Sequence, residues 1–543
     1  MPLTGRLLPI LFVASLLPRQ IICAQITGGF GGGSPPAPTQ DCISPEQRAQ
    51  IDLAISRRGT SSKDRSPLDA GPLPYPFQPI AGTVWEDRFI INFVDLDPTT
   101  GILDWDCTDF TYDGHRGHDI VLRSFGEQDV GVPIFAALDG TVIDRHDGEY
   151  DRNTALNPGA LANYVVLDHG GGHRTIYFHM RKNSVAVALN QVVKAGTQLG
   201  LAGSSGYSSG PHLHFESQLN GIVYEPYAGA CQTNTPGRWL NQTPIRRDLY
   251  LEMFEMHGTN NLTPFLPENP VRKGTFVRNG TFQPIGCWLL LHNQPAHSTM
   301  RMRYKRPNGT IFFDSGFQNF GNSLFNRAAA WWFYYNINPD TSGTWTLEFS
   351  VNGQVLANAP FTVLDPGGVP TNRPPNPFTA SFDPSNAGSN EVIFCRLHPS
   401  LPEDPDYDFV RYRFQWQLNG TTIRDTTNAA YADAISRGSA SSGDYLTCTI
   451  TSYDGITNGV PVRISTFVGG AIPPRLLASA EAGSTFRVSW PTSAAPYLLE
   501  FSTNLVSSSW QQLTNGITQS GGQNVITNPG SGTARYFRLR LPP

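Results

Sequence analysis

Histidines crowd one part of this chain: eight of the twelve lie between positions 113 and 216. They sit in and around three short runs that carry the chemistry. The first is Gly114-His115-Arg116-Gly117-His118-Asp119, the second Tyr177-Phe178-His179, and the third Gly210-Pro211-His212-Leu213-His214-Phe215-Glu216. Neutral imidazole and carboxylate together suit a zinc ion, and a catalytic zinc takes three protein ligands and leaves a fourth position for water. His115 and Asp119 offer a nitrogen and an oxygen from one short turn. His212 and His214 stand two residues apart, so on a β-strand they point to the same face, one onto the metal and the other beside the water. His179, taken to share a strand face with Tyr177, brings a further imidazole from another strand. The helical His-Glu-x-x-His pattern is not used here, so no glutamate base is implied. A solitary histidine is more often a packing or surface residue, and His118, His146, His169 and His173 are assigned that way. His118 is the nearest rival ligand, three residues after His115.

In this order the motifs resemble the lysostaphin-like zinc endopeptidases of peptidase family M23, which cut peptide cross-links in bacterial cell walls. The family pattern H-x-G-x-D, then a strand with Y-x-H, then G-P-H-L-H-F-E, is matched at each part. Residues 163–170 also resemble the family's central strand, and residues 132–142 its strand and turn after the first ligand. Departures are mild: Ser205 stands where threonine is usual and Asn190 where glycine is. The resemblance implies zinc ligands His115, Asp119 and His214, with His179 and His212 as catalytic imidazoles. It further implies hydrolysis, by a zinc-activated water, of peptide bonds in peptidoglycan stem peptides or cross-bridges. One imidazole would take or orient the water proton and the other donate to the oxyanion; the residues alone do not divide these tasks.

The rest of the chain must position that cluster. Only 15% of the 543 residues are charged, and 53 glycines and 44 prolines mark a turn-rich, β-rich extracellular protein of about three or four domains. A net charge of −5 gives no polybasic surface for nucleic acid, and neither a phosphate loop nor a dinucleotide fingerprint occurs. Residues 1–24 read as a signal peptide, with Arg6 before an apolar run and a cut after Ala24. No later stretch reaches the roughly 18 apolar residues of a membrane span. The expected location is therefore secreted or cell-envelope. Six cysteines remain after the signal, an even count that suggests disulfides.

The fold class is expected to be mainly β, an antiparallel β-sheet catalytic domain followed by three β-sandwich-like modules. The expected boundaries are a Gly/Pro linker at 25–41, flexible by composition, the catalytic domain at 42–240 with an N-terminal helix and a lead-in strand, a β-sandwich at 245–365, a linker at 366–378, an Ig-like sandwich at 379–468 and a β module at 475–543. Ser44-Pro45-Glu46-Gln47 reads as a helix N-cap with a capping box. Asn279-Gly280, Asn308-Gly309 and Asn352-Gly353 are hairpin signals, and the aromatic run 331–335 reads as a strand buried against a core. Cys395, Trp416 and Cys448 follow the order of an immunoglobulin-type sandwich, which pairs Cys395 with Cys448. The C-terminal modules would give cell-surface association. Three alternatives to a peptidoglycan peptidase stand: a surface adhesin with a structural zinc, a metal-free activator of another hydrolase, and a zinc endopeptidase acting on Gly-rich proteins.

Overall fold

The computed structural model describes residues 26–33, 41–58, 74–232, 237–263, 268–321, 323–469, 476–480, 485–492, 497–504, 510–529 and 536–540. The signal-peptide segment lies outside these residues. Two α-helices occur among them, α1 (Pro45–Arg58) and α2 (Phe125–Val130), and strands make up most of the rest.

The first strand, β1 (Gly28–Gly33), falls in the segment expected to be a linker. It runs antiparallel to the strand Asn326–Ile337, from Gly28 opposite Tyr335 to Gly33 opposite Ala330. Glycine makes this possible, because a Cβ on Gly31 would lie 2.7 Å from the Trp332 ring. Composition read as flexibility is here a backbone laid flat against aromatic rings.

The histidine-rich sheet comprises β2 (Phe89–Asn92), β3 (His118–Val121), β5 (Gly140–His146), β6 (Asn163–Gly170), β7 (His173–Met180), β8 (Val192–Val193), β10 (His212–Leu219) and β11 (Ile222–Val223). Its order is β2-β3-β10-β7-β6-β5-β8 with β11 on β10, and every pairing is antiparallel. A separate ribbon pairs β4 (Pro133–Phe135) with β9 (Gln198–Leu201). Strand alternation sends Leu213, Phe215, Tyr177, Val165 and Leu167 into one core, and Ile176, Phe178, Tyr164 and Val166 to the opposite face. That second face is covered by α1 through Ile51.

Ser44 caps α1 as expected, its Oγ accepting from the Gln47 N–H at 3.3 Å. The Gln47 side chain does not close the capping box. It exchanges hydrogen bonds with the Ala162 backbone, Nε2–H to O at 2.8 Å and N–H to Oε1 at 3.0 Å, and so pins the helix to the sheet.

Downstream, the strands Tyr250–His257, Gln283–Gln294 and Asn326–Ile337 form a sheet with β1. A second sheet, built mainly from Thr299–Lys305, Gly343–Val351 and Gln354–Leu364, shares a core with it around Phe333, Trp345 and Phe349. Trp331 and Phe333 of the aromatic run lie in this core. Asn352-Gly353 makes the expected two-residue turn, with φ of 50° and 84°. Asn279-Gly280 does not join a hairpin: the strand before it, Thr275–Val277, pairs in parallel with Gln354–Leu364, and the strand after it pairs elsewhere. Turn chemistry is local, whereas partner choice is set by which face each strand must bury.

Residues 378–467 form facing sheets of three and four strands around the buried Trp416. The expected Cys395–Cys448 disulfide is not formed. Both are buried thiols, and burial together with the Cys395 thiol beside it pushes the Cys448 thiol far up. The disulfide among the described residues joins Cys107 to Cys231, tying the loop before the first histidine motif to the far end of the same domain. Two small sheets lie among the described residues of 477–540.

The histidine-rich domain and the 378–467 module share a core in which Phe77 and Phe135 meet Phe394. Arg123 crosses this junction. It pairs with Glu127 on its own side and, on the other, donates to Tyr431 Oη at 2.7 Å, Ala429 O at 3.2 Å and Glu403 Oε1 at 3.3 Å. Removing one member of a buried ionic network strands its partners, so Arg123→Ala is expected to cost about 3–5 kcal/mol. Calorimetry would show this as a lowered melting transition; an unchanged transition would mean that the junction does not bear load.

Candidate metal centre

Three of the five expected site residues form one cluster. His115, Asp119 and His214 each offer a ligand atom, all within 4.8 Å of one another and all buried. His115 Nε2 lies 3.2 Å from His214 Nδ1, and Asp119 Oδ1 lies 3.3 Å and 3.0 Å from those two nitrogens. An N, O, N donor set of this size suits a zinc ion, and with three protein ligands it is of the open kind. No other such group of three occurs among the described residues.

Local structure aims each donor. His115 lies in the turn before β3, and its Nδ1–H donates to Phe93 O at 2.6 Å, which leaves the Nε2 lone pair facing the cluster. Asp119 on β3 is directly opposite His214 on β10, so the two share a face. The other carboxylate oxygen of Asp119 accepts from Asn92 Nδ2 at 2.9 Å. The glycine of the first motif has a packing reason, since a Cβ on Gly117 would sit 2.7 Å from His214 Cε1. Burial pushes the Asp119 carboxyl up, but the His115, His214 and His212 imidazoles outweigh it and hold it well below the usual carboxylate range.

His212 and His179 stand beside this cluster. His212 Nε2 is 3.6 Å from Asp119 Oδ1, while its Nδ1–H donates to Gly210 O at 2.8 Å. The His179 and His212 ring centroids are 4.4 Å apart. His179 donates from Nδ1 to Ser205 O at 2.6 Å, which turns its Nε2 lone pair inward; that atom is buried and makes no hydrogen bond. Burial, then repulsion from His212 and His214, holds the His179 imidazole well below its ordinary pKa, and so neutral.

His179 reaches this position by a route that strand alternation does not give. Tyr177 faces the core with Phe215, so a regular strand would turn His179 away from His214. Between the pairs Asn163–Met180 and Val165–Tyr177, however, β6 advances two residues and β7 three. The extra residue is a β-bulge, and His179 sits in it at φ 61°, rotated onto the face of His212 and His214. The expected shared face with Tyr177 is thus corrected, although the expected convergence is observed.

The remaining histidines are held elsewhere. His118 points to the opposite face, where it meets Glu225 at 2.7 Å. His146 pairs with Glu149, and His169 with Asp139 O and Thr175 Oγ1. Sequence reading missed Asn92, whose one signal is a polar residue in the apolar run Phe89-Ile90-Ile91-Asn92-Phe93. It also missed Cys42, whose thiol lies against His214.

The profile described as Peptidase family M23 matches residues 113–226. An uncharacterized metalloprotease of Haemophilus influenzae is 34% identical over 137 residues, which is 25% of this chain and 24% of that protein. The peptidoglycan DD-endopeptidase ShyA of Vibrio cholerae is 32% identical over 107 residues, 20% of this chain and 21% of its own. The chain thus spans about a quarter of the length of these curated relatives. Among solved structures, the catalytic domain of lysostaphin from Staphylococcus simulans is 23% identical and covers 26% of this chain and 89% of that one, with a TM-score of 0.17. A cluster of buried nitrogen and oxygen donors, on the strands that carry the matched motifs, therefore lies within a peptidase family M23 domain spanning residues 113–226.

Proposed function

We propose that this domain is a zinc-dependent endopeptidase that hydrolyses peptide bonds of peptidoglycan, with His115, Asp119 and His214 as metal ligands and His179 and His212 as catalytic imidazoles. The observation that carries this reading is the convergence of an N, O, N set with two further imidazoles, both of whose Nδ1–H groups are tied to backbone carbonyls. When bound, a zinc ion at this site supplies Lewis acidity and lowers the pKa of water to about 7. His179, held neutral, has a lone pair to accept a proton from the attacking water. His212, the most accessible of the five side chains at 13%, faces the open side, where it can hydrogen-bond a substrate carbonyl as charge develops on it. Asp119 balances part of the charge, and Asn92 keeps its carboxylate from swinging away.

A purely structural zinc favours four protein ligands, and a metal-free activator has no use for this donor set. The choice of peptidoglycan rests on relatives with that activity, such as ShyA, and it agrees with an exported protein. No helix among the described residues is long and apolar enough to cross a membrane.

Purified full-length protein is expected to contain one zinc and to release soluble fragments with new amino termini from cell-wall sacculi. Mass analysis of those fragments names the bond. Zinc-loaded protein that cuts glycine-rich protein but leaves sacculi intact would move the substrate to the alternative class; protein that cuts neither would end the peptidase reading.

A further inference from the structure

We infer that Arg48, on the helix upstream of the matched domain, is a positioning residue of the metal centre: it holds the Glu216 carboxylate against the side of His214 that faces away from the metal. The inference rests on the peptidase reading above. His214 turns Nδ1 toward His115 and Asp119, and its Nε2, which makes no hydrogen bond, faces Glu216 Oε2 across an ion-pair distance of 3.8 Å. Glu216 is fully buried and shares the face of β10 with His212 and His214. A carboxylate in that position needs a countercharge. Arg48 Nη1 donates to both of its oxygens, at 3.0 Å and 2.9 Å, while Nη2 is anchored to Asp41 at 2.8 Å. Gln218 adds a hydrogen bond to Oε1 at 2.5 Å, and the half-exposed Arg116 stands farther off at 3.6 Å.

The helix is placed to do this. Gln47, next to Arg48, clasps Ala162, Ile51 is buried among Ile176 and Phe178, and the Cys42 thiol packs against His214. Positions 41–58 lie outside the stretch matched by the family profile, so this chain completes the surroundings of His214 from beyond the family domain. A carboxylate that accepts a hydrogen bond from a metal-bound histidine fixes the ring and raises its basicity, and its loss typically weakens metal binding about 10- to 100-fold; Glu216 at 3.8 Å acts on the ring by its charge, so the lower end of that range applies. Without Arg48 the buried Glu216 has no full cation at hydrogen-bond distance to keep it in place.

The test is zinc affinity, measured on the metal-stripped full chain by competition with a chromophoric chelator. Arg48→Ala should weaken zinc binding about 10-fold, and Arg48→Lys, which keeps the charge, should recover most of the loss. Ile51→Ala loosens the same helix without touching Glu216, so it should lower the melting temperature and leave zinc affinity alone. In a Glu216→Gln background, removing Arg48 should have little further effect on affinity. Equal zinc affinity in wild type and Arg48→Ala would overturn the proposal while leaving the peptidase reading standing. So would faster turnover of Arg48→Ala at unchanged affinity, which would make the helix a cover over the site. Wild-type protein that binds no zinc would overturn the peptidase reading itself, and this proposal with it.

Discussion

The His115→Ala protein is expected to lose its metal and its peptidase activity together. His115 supplies one of three donors, and its 2.6 Å bond to Phe93 O aims its Nε2 at the other two. The loss of affinity should exceed the roughly 10- to 100-fold that follows from removing an outer hydrogen-bond partner. Zinc content by mass spectrometry, beside turnover on sacculi, checks both halves of the statement. A His115→Ala protein that kept one zinc and its activity would remove the triad from the mechanism.

His179→Ala should behave differently, keeping zinc and losing rate. The His179 Nε2 atom lies outside the group of three, and its Nδ1–H is committed to Ser205 O. Its proposed role is to move a proton, and a positioned acid or base contributes typically about 10²–10⁴-fold. Because His179 occupies a left-handed conformation at φ 61°, alanine adds backbone strain there. His179→Asn is the better companion variant, since asparagine tolerates that region. Both should show the same fall in turnover with zinc content near one per chain. Metal loss in the asparagine variant would make His179 part of the ligand set, and undiminished turnover would leave proton transfer to His212.

The acid side of the pH profile follows from the same geometry. The His179 imidazole is pushed below its ordinary pKa by burial and by its neighbours, so it remains unprotonated at pH values where an exposed histidine is already half charged. If His179 is the base, the acid limb of activity should therefore fall below about 6.5, the ordinary histidine value.

Much of the site was legible along the chain because its chemistry is written in residue type and short-range spacing. His212 and His214 at i and i+2 do share a face, and Asp119 pairs opposite His214, because an antiparallel ladder forces both relations. The helix cap at Ser44 and the Asn352-Gly353 turn were readable for the same reason: each depends on the chemistry of two or three neighbouring residues. What escaped was whatever depended on a partner far away. Asn279-Gly280 has hairpin chemistry, but the strands on either side pair in different sheets. The glycine-rich segment looked flexible until the aromatic strand that needs a backbone without side chains was beside it. Cys395 and Cys448 come together across a sandwich yet remain thiols.

Residue type and short-range spacing were enough to pick out the five side chains that converge, because the kinds of donor and their local spacing are written along the chain. How His179 joins them, through one extra residue in a strand, and that a helix from outside the domain brings Arg48 to Glu216 emerged with the folded chain. Neither a one-residue shift of register nor a contact spanning 168 positions leaves a periodic trace in the chain, since both are settled by which surfaces must be buried together.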